Sequence, residues 1–233
     1  MALLRKKFDL MHAYHSHEGT ILASDVTPEG FSVPFQHAYG YLLNSGAMAG
    51  HAHPTDEIYL VLSGSGYVIL GGKNRAVSAG DVVAIPPNTW HTMLCTEKDE
   101  APFLWAALWW DHMEGAKSKW NSSDEIPVLR FSKESATPAH GGTILASEVV
   151  PDVLACPFGH AYGYLENGNS MEAHSHPTKE FYVFYEGNGT MTVAGETEAV
   201  GPGDVVAIPP NEIHSVTANS GENLLFAAFW WEE

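Results

Sequence analysis

His51 to Gly64 reads HAHPTDEIYLVLSG, and His174 to Gly187 reads HSHPTKEFYVFYEG. Each stretch sets two histidines, a glutamate and a glycine at the same spacing. Positions 51, 53 and 57 share parity, as do 174, 176 and 180. On an extended chain, residues of one parity project from one face, so the two imidazoles and the carboxylate converge on one side. The apolar run that follows, Ile58 to Leu62, is apolar on both faces. Such a strand lines a barrel with one face and needs a cover for the other.

The doubling extends along the chain. His17 to Leu42 and His140 to Leu165 are related by a shift of 123 and are identical at 17 of 26 positions. The same shift relates the run GDVVAIPPN at Gly80 to its copy at Gly203. The aromatic ends, Leu108 to Trp110 and Phe229 to Trp231, match at a shift of 121, so a late loop has lost two residues. A long internal repeat means two copies of one folding unit. We expect barrels over 1–112 and 125–233, joined by a polar linker over 113–124. No stretch carries a sustained helical period; alternation and short β-branched or aromatic runs dominate. The reading is all-β.

The chain has 233 residues, of which 45% are hydrophobic, which suits a packed core. Its longest apolar run, Ala101 to Trp110, falls short of the roughly 20 residues of a membrane helix. No stretch resembles a signal peptide, so a cytoplasmic location is expected. Cys95 and Cys156 fall at non-equivalent places in the copies and make no disulfide framework. A net charge of −17 disfavours nucleic acid and anionic membranes as partners. With only Arg5, Arg75 and Arg130, phosphorylated substrates are disfavoured too.

A third histidine comes from a neighbouring strand. Turn signals at Gly64 and Gly71 reverse the chain, and Pro86-Pro87-Asn88 aims His91 inward; His214 repeats it. The spacing His51-x-His53-x3-Glu57-x6-Gly64, then Gly80-x5-Pro86-x-Asn88-x2-His91, resembles the paired motifs of the cupin superfamily. The second copy repeats both, so the chain is similar to a bicupin. Asn88 and Asn211 stand where many cupins have glycine, and asparagine also tolerates left-handed turns. The resemblance implies a double-stranded β-helix, or jelly roll, in each half, with a metal inside each. The expected ligands are His51, His53, Glu57 and His91 in one barrel, and His174, His176, Glu180 and His214 in the other.

Three imidazoles and a carboxylate suit a divalent transition metal, whether Mn, Fe, Ni, Co, Cu or Zn, at two ions per chain. An open coordination sphere is catalytic, whereas a closed tetrahedral zinc is structural. The expected function is a dioxygenase or isomerase acting on a small neutral or weakly acidic keto, enol or phenolic compound. Glu57 or Glu180 would serve as base. Oxalate decarboxylases are also bicupins, but they carry an arginine three residues before the first ligand histidine; here Met48 and Met171 stand there. The alternatives are a non-catalytic metal-containing binding or sensing protein, and a duplicate in which one copy only stabilises. Expected partners are a small molecule and, through the apolar strand faces, a second copy in a homodimer.

Four further features stand at equivalent positions of the two copies. The trios His37, Tyr39, Tyr41 and His160, Tyr162, Tyr164 suit an interface between barrels or a pocket wall. His17 and His140 recur without a following carboxylate and read as surface. The pairs Trp109-Trp110 and Trp230-Trp231 read as barrel packing. Trp90 and Ile213, just before the last ligands, read as apolar walls that differ between the pockets.

Overall fold

The strand Asp56–Ser63 shows why the chain folds as it does. Every residue from Asp56 to Leu62 is buried. Glu57, Tyr59 and Val61 face into the first barrel, while Ile58, Leu60 and Leu62 face out. A computed structural model describes residues 3–42, 45–95, 102–113 and 119–232. Of the expected linker over 113–124, residues 114–118 lie outside the described residues.

In the first half, one sheet runs Val128–Arg130, Asp81–Ile85, Asp56–Ser63, Phe103–Trp110, Gln36–Leu42, Ile21–Ser24, Tyr14–Ser16. A smaller sheet of Gly46–Ala47, His91–Cys95, Ser65–Leu70 and Lys73–Ser78 closes the jelly roll. The second half repeats the plan around Lys179–Glu186, with His214–Ala218, Gly189–Val193 and Glu196–Val200 as its smaller sheet. The recorded strand pairings are all antiparallel, and at Gly64 the chain passes from Asp56–Ser63 of the larger sheet to Ser65–Leu70 of the smaller one. At its counterpart Gly187, φ is 74° and a Cβ would lie 1.7 Å from the Asn223 carbonyl oxygen, so only glycine fits.

The outer faces of the two halves cover each other. Ile58, Leu60 and Leu62 share one core with Phe181, Val183 and Tyr185, Trp110 and Trp231. Burying a large aliphatic side chain contributes about 1.5–3 kcal/mol, so this shared face is a major stabilising term. It covers part of the apolar strand surface on which both a contact between the copies and a homodimer were expected. Tyr39 belongs to this core, and its hydroxyl donates to the Gly203 carbonyl at 3.3 Å. The tyrosines of the HAYGY trios therefore serve the joint between barrels.

The halves also exchange strands. Arg5–Lys7 pairs with Asp204–Ile208 of the second half, and Val128–Arg130 pairs with Asp81–Ile85 of the first. The expected boundaries at 112 and 125 assign each of these short strands to the half whose partner sheet it leaves. No helix of the described residues is long and apolar enough to cross a membrane. Among those residues Cys95 and Cys156 form no disulfide.

Candidate metal centres

Local backbone pairing brings the histidines together. His51 and His91 oppose each other as an antiparallel bridge, with His51 N–H donating to the His91 carbonyl at 3.1 Å and the reverse bond at 2.9 Å. His174 and His214 repeat the bridge at 3.1 and 2.9 Å. Opposed residues of a ladder project to the same side. The Pro-Pro-Asn turn anchors the middle ligand: Asn88 N–H donates to the His53 carbonyl at 2.6 Å, and Asn211 N–H to that of His176 at 2.8 Å. Both asparagines are left-handed, with φ of 59° and 65°. The ring nitrogens of His51, His53 and His91 that face one another all lie within 4.8 Å, as do those of His174, His176 and His214. Each triad can hold a metal ion.

The hydrogen bonds behind the rings say which nitrogen is available. His51 Nδ1 faces the Ala49 carbonyl at 3.3 Å, His53 Nδ1 the Thr55 carbonyl at 3.2 Å, and His91 Nδ1 the Thr89 carbonyl at 2.9 Å. In the second barrel the carbonyls are those of Glu172, Thr178 and Glu212, at 2.9, 3.2 and 3.0 Å. A carbonyl only accepts, so Nδ1 of His51, His91, His174 and His214 carries the proton and their Nε2 offers its lone pair inward. Nδ1 of His53 and His176 also meets a threonine hydroxyl, of Thr55 at 2.7 Å and Thr178 at 2.6 Å, and their Nε2 faces the glutamate carboxylate. This is the outer support that metal-ligating histidines require. The Nε2 atoms of His91 and His214 are buried with no hydrogen-bond partner. A buried, unpartnered lone pair is costly unless a metal or donor takes it, so the donor set fits a cation.

The glutamate sits where the sequence spacing put it. Glu57 Oε2 lies 3.0 Å from His53 Nε2 and 3.3 Å from His91 Nε2; Glu180 repeats these distances to His176 and His214. Burial pushes the Glu57 carboxyl up, but the hydrogen bond from His53 and the charge of His53 and His91 outweigh it and leave it below the usual range. Burial, then neighbouring imidazoles, lower His51 to about 4. His53 is raised, chiefly by its hydrogen bond to Glu57.

Five residues matter here that their sequence pattern did not assign to the site. Tyr59 follows Glu57 by two residues on the inner face; burial, then the Glu57 charge and a hydrogen bond to it, hold its phenol protonated. Tyr182 does the same for Glu180. Parity alone would have found them. His17 is half-buried, with its ring 4.6 Å from that of His51; His140 is exposed, as its pattern suggested, yet its ring lies 4.3 Å from that of His174. The signal was their recurrence, but only the packing of the N-terminal turn against Ala49 reveals the position. Trp109 lines the cavity while Trp110 goes to the shared core, so the tryptophan pair splits by parity between site and packing.

One expected wall is absent from the site. Trp90 and Ile213 are 47% and 61% exposed. Trp90 lies outside the barrel against Gly50, where a Cβ would stand 2.1 Å from its ring. The bridge between His51 and His91 turns the residue before His91 outward.

A cavity of about 400 Å³ opens onto the first centre. Met48, Tyr59, Trp105 and Trp109 form its apolar wall, and His17, His51, His53 and Glu57 its polar end. In the second barrel Tyr182 stacks on Phe226 at 4.5 Å; the corresponding Tyr59 and Trp105 are tilted at 5.8 Å.

Two tandem jelly rolls, each with a carbonyl-braced histidine triad and a buried glutamate, define a duplicated protein of metal-site barrels. The chain belongs to the cupin domain family, whose model matches residues 41–107 and 162–231, more than half its length. No curated protein matches the sequence. Among solved structures it is similar to AerE from Microcystis aeruginosa, with TM-score 0.64 and 14% identity over 99% of this chain and 98% of that one. It is also similar to a putative glyoxylate-induced protein from Pseudomonas aeruginosa, with TM-score 0.69 and 13% identity over 90% and 80%. An oxalate decarboxylase from Bacillus subtilis gives TM-score 0.66 and 16% identity over 100% and 78%. Identities this low establish a shared bicupin fold.

Proposed function

We propose that the chain is a metal-dependent enzyme, of isomerase or dioxygenase type, that acts at the first centre on a small neutral or weakly acidic keto, enol or phenolic compound. The observation that carries this reading is the cavity of about 400 Å³ lined by His51, His53 and the buried Glu57, with His91 behind them completing the carbonyl-braced triad. His51, His53, His91 and Glu57 would hold a divalent transition metal, and His174, His176, His214 and Glu180 a second. A bound divalent ion supplies Lewis acidity toward an oxygen-bearing substrate. Glu57 then takes and returns the proton of an enolisable carbon, with the Tyr59 phenol orienting its carboxylate. Met48, Trp105 and Trp109 exclude water, which strengthens the electrostatics inside. Among the described residues, no arginine or lysine lines this cavity. The substrate's polar end therefore rests on the metal side, and oxalate and phosphorylated compounds are poor fits. The tighter Tyr182–Phe226 stack favours a supporting role for the second centre. Two cysteines without a disulfide suit the reducing cytoplasm.

The test is a turnover screen of keto, enol and phenolic compounds with each candidate metal loaded. Glu57→Gln should cut the rate by about 100-fold or more, while Glu180→Gln leaves most of it. Normal ligand binding with no turnover under any metal would replace this reading with the non-catalytic binding protein.

A further inference from the structure

The fourth histidine of each barrel is held at the site by a strained turn. His17 and His140 have φ of 49° and 48°, in the left-handed region that favours glycine. The next two positions are left-handed as well: Glu18 and Gly19 at 58° and 80°, Gly141 and Gly142 at 65° and 86°. The second copy thus relieves the middle position with glycine, yet both copies keep histidine at the first. A side chain retained on such a backbone is retained for what it touches.

The turn is latched to the site. Thr20 Oγ1 donates to the His17 carbonyl and accepts from Ala49 N–H at 2.8 Å. Thr143 Oγ1 donates to the His140 carbonyl at 2.7 Å and accepts from Glu172 N–H at 3.1 Å. The carbonyls of Ala49 and Glu172 are those that brace His51 and His174. One threonine therefore fixes the fourth histidine relative to the first ligand. His17 lines the cavity, and Ser16 Oγ lies 3.0 Å from its Nδ1. Its nitrogens are not among those clustered within 4.8 Å in the triad.

We propose that His17 contacts, through its imidazole Nε2, an oxygen-bearing ligand bound at the first centre, and that His140 does so at the second. Its place is beside the metal site rather than in the ligand set. This inference rests on the metal-centre reading above, and it names a specificity residue that reading does not supply. An imidazole offers a ligand oxygen one hydrogen bond from its ring N–H.

Cobalt(II) and acetohydroxamate, a small chelating oxygen ligand, provide the test. The double variant His17→Asn/His140→Asn keeps a residue that tolerates the left-handed backbone but is too short to reach the ligand. We expect unchanged cobalt stoichiometry and visible spectrum, an unchanged thermal midpoint, and acetohydroxamate affinity weakened about ten-fold or more. Thr20→Val, which cuts the latch and keeps the imidazole, should weaken it by a smaller factor. Unchanged probe affinity, with or without a lowered midpoint, would make His17 a packing residue and overturn the proposal. A lost or altered cobalt spectrum would make it a ligand and overturn it too. Wild-type protein that takes up no cobalt defeats the metal-centre reading itself, a result distinct from any effect of the substitutions.

Discussion

Arg130 reaches from the first strand of the second half to Asp81 of the first half, its Nε donating to Asp81 Oδ1 at 2.8 Å. The reciprocal contact is Arg5 Nε to Asp204 Oδ1 at 2.9 Å. Both aspartates are buried, and each also accepts a backbone N–H at 2.8 Å, from Ser78 and Gly201. Two of the chain's three arginines thus join the halves instead of binding substrate. A buried carboxylate left without its cation costs about 1–3 kcal/mol. Arg130→Ala should therefore lower the thermal midpoint by several degrees. Because the halves share a core, calorimetry should still show one transition. Two separate transitions, with only one of them shifted, would mean that the barrels fold independently.

Metal content provides the next prediction. Both triads have all three imidazoles braced by carbonyls, so metal analysis of protein purified without chelators should give about two ions per chain. His51→Ala/His53→Ala should leave one, and His174→Ala/His176→Ala should leave the other. A wild-type stoichiometry of one, unaffected by the second pair of substitutions, would refute the two-centre arrangement.

Much of this was legible in the sequence because both signals are local or repeated. Parity put Glu57 with His51 and His53, and the repeat doubled every motif. The apolar outer face of Ile58, Leu60 and Leu62 announced that a cover was needed, but not which one. That cover is the same face of the other copy, with Phe181, Val183 and Tyr185. The strand exchange at Arg5 and Arg130 was hidden, since a three-residue strand has too few side chains to show a period. His17 was misread because its importance lies in a ring contact with His51, more than 30 residues away.

Tyr59 tests the support of the glutamate. Its phenol is buried and hydrogen-bonded to Glu57, which keeps the carboxylate aimed at the imidazoles. Outer partners of this kind are worth about 10–100-fold in metal affinity. Tyr59→Phe removes one oxygen and little volume, so the fold should persist while the first centre's affinity for its metal falls by about ten-fold. Competition with a chelator would measure it, with the second centre as internal reference. Equal loss at both centres would point to a global effect rather than to Tyr59.

The last prediction concerns pH and lies away from both centres. His37 Nδ1 accepts from Val26 N–H at 3.2 Å, and its Nε2 faces Thr27 Oγ1 at 2.7 Å. A nitrogen that accepts a backbone N–H cannot carry a proton, so this network requires the neutral ring. Burial lowers the His37 pKa below its ordinary 6.5, against the opposing charge of Asp25. The sign follows. Below 6.5 the unfolded chain takes up a proton that the folded chain refuses, so unfolding becomes more favourable as pH falls. The stability tied to His37 is full above 6.5 and declines as pH drops toward the folded value. His160, lowered chiefly by burial in the second barrel, adds a slope of the same sign. Urea midpoints measured from pH 7.5 down to 5 should therefore fall. In His37→Gln, whose amide can replace part of the network without titrating, the fall should be shallower. Identical slopes for the two proteins would show that other groups set the acid sensitivity.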